Sequence, residues 1–105
     1  MPDLPDIDIT TSQWHIVRSI LQAHVPEYPV WAFGSRAKHT AKKHSDLDLA
    51  VITETPLSLD TLAALTSAFS ESDLPWKVDI LDWASIDSSF QDIIRKDRVE
   101  VMAGR

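Results

Sequence analysis

The segment that decides the fold is residues 32–52, AFGSRAKHTAKKHSDLDLAVI. It begins with apolar residues, breaks at Gly34-Ser35, crosses a stretch rich in Lys, Arg and His, and then alternates Asp with Leu before a second apolar run. Short apolar runs bounded by turn residues are typical of buried strands. The segment therefore predicts two strands, at 29–33 and 46–52, joined by a basic loop that has room for one helical turn.

Helices and further strands are predicted around this pair. Helical spacing of apolar residues follows capping residues at 10–12, at 58 and at 85–87, so we expect three helices. Residues 76–81 predict a third strand, and residues 99–102 a short last one. The fold class that we expect is α/β, with one small mixed β-sheet of three to four strands and helices packed on it.

The composition is that of a small globular protein, with 105 residues, 44% of them hydrophobic, and a net charge of −6. We expect one domain over 1–105, with residues 1–9 as an exposed, flexible lead-in. The acidic balance disfavours direct nucleic-acid binding, because it repels phosphate backbones. The chain has no cysteine, no membrane-length apolar run and no basic signal-peptide region. These features indicate a cytoplasmic protein without a membrane partner.

Three aspartates suggest a metal site. Asp46 and Asp48 alternate along a strand, so their side chains point to the same face with Cα atoms about 6.6 Å apart. Magnesium prefers one or two carboxylates together with phosphate oxygens, and a site for two ions normally takes a third carboxylate. Asp79, inside the third strand, is the candidate, with Asp82 at the end of that strand as a competitor.

Each of these carboxylates also has an ordinary interpretation. Asp46 and Asp48 fit the polar side of a half-exposed edge strand. Asp79 fits a solvated strand position paired with Lys77, and Asp82 fits a turn.

Gly34-Ser35 and the basic residues after it have the chemistry of a phosphate site. Glycine after a buried strand lets backbone N–H groups approach a phosphate closely, and the serine hydroxyl adds a donor. The basic side chains can neutralise the outer oxygens of a triphosphate. They are Arg36, Lys38, His39, Lys42, Lys43 and His44. The alternatives are a plain strand-ending turn and a solvated loop.

Three motifs resemble those of the minimal nucleotidyltransferases of the DNA polymerase β-like superfamily: GSRA at 34–37, SDLDLAV at 45–51 and VDI at 78–80. The resemblance implies a nucleotidyltransferase fold like the polymerase β palm. It also implies that the catalytic residues Asp46, Asp48 and Asp79 hold two Mg²⁺ ions. The nucleotide-binding residues that it implies are Gly34, Ser35, Arg36 and Ser45.

The resemblance further implies transfer of AMP from ATP to an acceptor hydroxyl, with release of pyrophosphate. Stand-alone members of this length are commonly antitoxins, which AMPylate a tyrosine of a HEPN-domain toxin ribonuclease and form a complex with it. We expect that function and that partner. Two other hypotheses are an antitoxin that acts by binding alone, with weak or vestigial transferase activity, and transfer of AMP to a small molecule such as an aminoglycoside.

The chain departs from the family at Lys38-His39, where the family often carries Arg-Gly. Loss of the glycine removes a residue that adopts positive φ freely, although histidine tolerates that conformation better than most. Lysine keeps the charge of arginine without its bidentate fork. We therefore expect a reshaped loop and altered activity.

Overall fold

The computed structural model describes residues 4–104. The elements are α1 Thr11–His24, β1 Val30–Phe33, β2 Leu47–Val51, α2 Leu59–Ser70, β3 Val78–Asp82, α3 Ser88–Asp97 and β4 Val99–Met102, with a 3-10 turn at Trp83–Ser85. They form one sheet of strand order β3-β2-β1-β4. Strand β2 pairs in parallel with β3, whereas β1 pairs antiparallel with β2 and β4. The expected α/β fold with a small mixed sheet is confirmed.

Side-chain caps define where the helices begin. The Thr10 side chain accepts a hydrogen bond from Gln13 N, and the Gln13 side chain returns one to the backbone of Thr10, which completes a capping box. Ser58 caps α2 and Asp87 caps α3 in the same way. Ser85, the other candidate start of the last helix, lies in the 3-10 turn instead.

The two faces of the sheet differ in what covers them. The core face carries Val30, Ala32, Leu47, Leu49 and Val51, which cluster with inward residues of α1 and α2. The alternate strand residues, including Phe33, point to the opposite face. There Phe33 meets Phe90 of α3 edge to face, with ring centroids 6.1 Å apart. Helix α3 therefore covers the face from which the predicted catalytic carboxylates project.

The N-terminal segment differs from the expected lead-in. Residues 1–3 lie outside the described part of the chain. Ile7 is only 6% exposed and belongs to the core, and Asp8 N donates a hydrogen bond to Arg36 O at 2.8 Å. The expectation of an exposed segment is therefore wrong for Ile7, which packs in the core. Among residues 4–104, no helix is both long enough and apolar enough to cross a membrane.

Candidate active site

Asp48 and Asp79 occupy the same position of the parallel β2–β3 ladder. Paired residues of neighbouring strands point to the same side, so both carboxylates project from the face that carries Phe33. Leu47 N donates to Lys77 O at 2.9 Å, and this bond fixes the register where the ladder begins. Asp46 precedes β2 by one residue. The structure therefore brings the three predicted carboxylates to one end of the ladder.

The three carboxylates interact electrostatically. Burial raises the pKa of Asp48, and the negative charges of Asp79 and Asp46 raise it further. A half-buried carboxylate between two other acids favours protonation or a bound cation. A pKa perturbed in this way, in a cleft, is typical of functional sites.

A lysine lies beside Asp79, one of the three predicted metal ligands. Lys77 Nζ lies 3.2 Å from Asp79 Oδ1, and the two side chains are 72% and 41% exposed. The Lys77–Asp79 ion pair, which is the ordinary interpretation of Asp79, is thus present. Asp48 lies next to Asp79 on the neighbouring strand. Within the described residues, no three His, Cys, Asp or Glu side chains are arranged to hold a metal ion by themselves. Mg²⁺ in proteins usually keeps several water ligands and is bound by one or two carboxylates together with phosphate oxygens of the substrate. The carboxylate oxygens of this site therefore suit a Mg²⁺ ion that binds together with a nucleotide.

An open cleft of about 410 Å³ lies at the carboxylates. Its lining residues are Phe33, Asp48, Asp79, Ile80, Leu81 and Phe90. The edge-to-face pair of phenylalanines forms an apolar wall, and Phe90 remains 36% exposed. Sequence patterning assigns both rings to the core and does not reveal this wall, because strand and helix periodicity says nothing about which sheet face ends in a cleft.

Gly34 connects the predicted phosphate segment to the carboxylates. Its φ is +75°, a conformation that L side chains rarely adopt. An ideal Cβ built on it would overlap Asp48 Oδ2 and lie 3.3 Å from Asp48 Cγ. Gly34 O accepts from Lys38 N and Ser35 O accepts from Thr40 N, both at 3.0 Å. A hydrogen-bonded turn is therefore present at 35–39, where the sequence left room for a helical turn, and it begins in direct contact with Asp48.

Arg36 binds to the backbone of its own loop. It is 6% exposed. Its guanidinium donates to Ser45 O at 3.0 Å, Asp8 O at 2.8 Å and Lys43 O at 3.3 Å, and it stacks over Trp76 at 4.4 Å. Burial lowers the pKa of Arg36, while the charges of Asp8 and Asp46 raise it. The predicted role of Arg36 in nucleotide binding stays a prediction, and this arrangement favours an indirect role through the loop.

Ser45 and the other basic residues have varied surroundings. Ser45 Oγ accepts from Lys42 N at 2.8 Å, so the hydroxyl stabilises the turn before Asp46, and its predicted contact with the nucleotide stays a prediction. Lys38 Nζ lies 3.8 Å from Asp97 Oδ2 of α3. His39 adopts φ +59°, so the left-handed conformation that a glycine would favour is kept.

Asp82 stabilises the fold and does not line the cleft. It is 7% exposed, and its carboxylate accepts hydrogen bonds from the Thr53 hydroxyl and, at 2.6 Å, from Leu57 N. Three positions beyond Asp79 in a strand, it points to the other face of the sheet. Asp79 therefore remains the candidate third ligand.

Replacing Arg36 with methionine is expected to lower the free energy of unfolding by about 3 kcal/mol, because three carbonyl oxygens lose a charged donor. Arg36→Lys should recover part of the loss, since one ammonium cannot reproduce the fork. Urea denaturation followed by far-UV circular dichroism measures both values. A change below about 0.5 kcal/mol for Arg36→Met, the range of ordinary surface substitutions, would contradict a structural role.

Comparisons with known proteins agree with this geometry. Residues 16–103 match the family model described as polymerase beta, nucleotidyltransferase. The chain is 55% identical over 96 residues to the probable protein adenylyltransferase MntA of Haemophilus influenzae, covering 91% of this chain and 84% of the relative.

Solved structures of toxin–antitoxin complexes have the same fold. The crystal structure of a toxin–antitoxin with AMP-PNP gives a TM-score of 0.73 at 20% identity, covering 88% of this chain and 74% of that one. A structure of the tri-AMPylated Shewanella oneidensis HEPN toxin in complex with MNT antitoxin gives 0.64 at 18% identity, covering 86% and 69%. At these identities the structures show the fold alone. The family model and the Haemophilus relative show that the chain belongs to the polymerase β nucleotidyltransferase family.

Proposed function

We propose that this protein transfers AMP from ATP to a hydroxyl group of a HEPN-domain toxin and thereby acts as its antitoxin. The observation that carries the proposal is the pairing of Asp48 with Asp79 on neighbouring strands, with Asp46 close enough to raise the pKa of Asp48. The description of the Haemophilus relative as a probable protein adenylyltransferase supports AMP transfer to a protein. The toxin–antitoxin complexes that share the fold support a HEPN toxin as acceptor.

The residues of the cleft take distinct roles in this reaction. The acceptor oxygen forms a bond to the α-phosphorus, the bond from that phosphorus to the bridging oxygen breaks, and pyrophosphate leaves. The acceptor proton passes to a base, for which Asp79 is placed, because its carboxylate is partly exposed at the cleft. Gly34 and Ser35, at the start of the turn beside Asp48, would bind the phosphates, and Ser45 and Arg36 would hold the loop.

Magnesium is the cofactor that we propose, as two ions held by Asp46, Asp48 and Asp79. When bound, the ions stabilise charge on the attacking and leaving oxygens. The donor set supports this choice, since carboxylate oxygens suit hard cations and the chain has no thiol. We place the reaction in the cytoplasm, where ATP and a toxin ribonuclease would meet.

The test uses the HEPN protein encoded beside this chain, if the neighbouring gene encodes one, and ATP labelled at either the α- or the γ-phosphate. We expect the α-label to appear on the toxin and the γ-label to remain in pyrophosphate, with both effects lost in EDTA. Mass spectrometry of the toxin should show added AMP units, and peptide mapping should identify a tyrosine. Transfer of the γ-label, or of neither label, would contradict the proposal.

Neutralisation by binding alone is the second candidate, and the Lys77–Asp79 ion pair favours it, because a lysine occupies one proposed ligand. This hypothesis predicts that the Asp79→Asn variant still protects cells from the toxin, with no AMP on the toxin. Loss of protection by Asp79→Asn, with complex formation intact, would exclude it.

A further inference from the structure

Residues 6–9, with the sequence Asp-Ile-Asp-Ile, bond to the loop at 34–46, and we call them the strap. Ile7 anchors the strap in the core. Asp8 N donates to Arg36 O, and Arg36 Nη1 donates back to Asp8 O, both at 2.8 Å. Because the same guanidinium holds the carbonyls of Lys43 and Ser45, the strap is joined directly to the segment that leads into Asp46.

The Asp8 side chain makes a second set of contacts with the loop. Its Oδ1 lies 2.7 Å from His39 Nδ1, and its Oδ2 accepts from Ala41 N at 3.3 Å. On the other side of the imidazole, His39 Nε2 lies 3.0 Å from Asp6 Oδ1. The carboxylates of the strap therefore enclose His39 from both sides, at the position where its backbone takes φ +59°.

This arrangement favours the imidazolium form of His39. A neutral imidazole has one N–H and can donate to only one carboxylate, whereas the charged form donates to both. The hydrogen bond to Asp8 raises the pKa of His39 against a smaller opposing effect of desolvation, and Asp6 raises it further. Asp6 and Asp8 are the titratable groups that face the ring. The adjacent Lys38 is bound to Asp97 of α3.

We propose that Asp8 and His39 are positioning residues for nucleotide binding, which act by holding the 34–46 loop in the conformation that presents Gly34, Ser35 and Asp46 to ATP. The inference rests on the proposed function. Residues 38–40 and 42–44 of the loop are exposed, so Arg36 and the strap hold the loop together with the local turn at Lys42–Ser45. A loop that is already ordered loses little conformational entropy when the nucleotide binds. Its affinity for the nucleotide is therefore higher.

The test compares Asp8→Ala and His39→Gly with the wild type and with a control, His15→Asn, at an exposed histidine of α1 outside the loop. His39→Gly removes the imidazole and keeps a residue that adopts positive φ. We expect amide exchange at residues 40–46 to rise roughly fivefold in both variants, and MgATP affinity, measured by calorimetry, to fall by roughly the same factor, the modest effect typical of an exposed ion pair. The control should match the wild type.

A pH series separates positioning from general destabilisation. Because the folded-state pKa of His39 is raised, its contribution is complete below the unfolded value of about 6.5 and is lost as pH rises through the folded value. The affinity advantage of the wild type over His39→Gly should therefore shrink from pH 6 to pH 9, whereas the affinity ratio of the wild type to His15→Asn should stay near one. If Asp8→Ala does not fold, Asp8→Asn, of equal size, replaces it.

Unchanged loop exchange and unchanged MgATP affinity in both strap variants would overturn the inference. A constant affinity ratio for His39→Gly across the pH series would also overturn it. Failure of the proposed function gives a different result, in which the wild type transfers no AMP to the toxin while the strap variants still differ from it in loop exchange.

Discussion

Replacing Asp48 with asparagine is expected to abolish nucleotidyl transfer without unfolding the protein. Asparagine has the same size, but it removes one negative charge beside Asp79 and so weakens the attraction for the cations that neutralise the triphosphate. Loss of one preorganised electrostatic contact typically costs about 100- to 1000-fold in rate. The measurement is the rate at which α-labelled AMP appears on the acceptor at saturating ATP. A rate within about threefold of the wild type, well inside that range, would contradict the assignment.

The same substitution should raise the melting temperature of the metal-free protein at neutral pH. The folded-state pKa of Asp48 is raised, so its stabilising contribution is present below the unfolded value of about 3.9 and is lost as pH rises through the folded value. The stability advantage of Asp48→Asn over the wild type should therefore grow from pH 4 to pH 8, as measured by scanning calorimetry.

Asp82→Asn is the matched control on β3, because Asp82 is a buried carboxylate that holds Thr53 and Leu57 N. This variant should lose stability, since one amide cannot accept both hydrogen bonds equally well, and should keep its transfer rate per folded molecule. A large rate loss in Asp82→Asn, with stability unchanged, would contradict the assignment of the two aspartates.

Gly34→Ala is expected to impair the site as severely as loss of a carboxylate. A methyl group at Gly34 would overlap Asp48 Oδ2, so the carboxylate must rotate away from Asp79 or the turn must shift. The positive φ adds about 1–2 kcal/mol of strain for an L side chain. We expect transfer to fall about 100-fold, the effect of misplacing a catalytic group by about 1 Å, and the free energy of unfolding to fall by about 2 kcal/mol.

Gly104→Ala separates the effect of backbone strain from the effect of contact with Asp48. Gly104 has φ +81°, and an added Cβ would lie 2.7 Å from the backbone carbonyl carbon of Tyr28, away from the cleft. It carries the same kind of strain without contact to Asp48. This variant should lose stability while its folded fraction transfers AMP at the wild-type rate. Equal rates in Gly34→Ala and Gly104→Ala would show that Gly34 matters only for folding.

The sequence predicted those features that depend on local spacing. The helices begin at predicted caps such as Thr10 and Ser58, and the strands lie within one or two residues of the predicted bounds. The shared face of Asp48 and Asp79 follows from alternation on two strands, once the strands pair in parallel. The three motifs at 34–37, 45–51 and 78–80 indicated the family, and the family model and the Haemophilus relative confirm it.

Features that depend on contacts between distant segments were not predictable in this way. In the sequence the strap resembles a polar lead-in, because two aspartates flank Ile7 and only the folded chain brings Arg36 and His39 to them. Arg36 reads as a phosphate ligand, because position in a basic segment does not reveal that its donors meet backbone carbonyls. The DIDI sequence at 6–9 was the available signal, since alternation of polar and apolar residues is typical of a half-buried extended segment.

The parallel pairing of β2 with β3 sets how much sequence change the site can tolerate. A shift of β3 by one residue would turn Asp79 toward the helices that cover the core face, and a shift by two would move it about 6.6 Å along the strand. Insertions at 71–76, between α2 and β3, leave the ladder unchanged as long as Leu47 still bonds to Lys77. A single insertion within 78–79 would separate Asp79 from Asp48. Change in length among related chains should therefore concentrate in the connection before Lys77 and be absent from the strand that follows it.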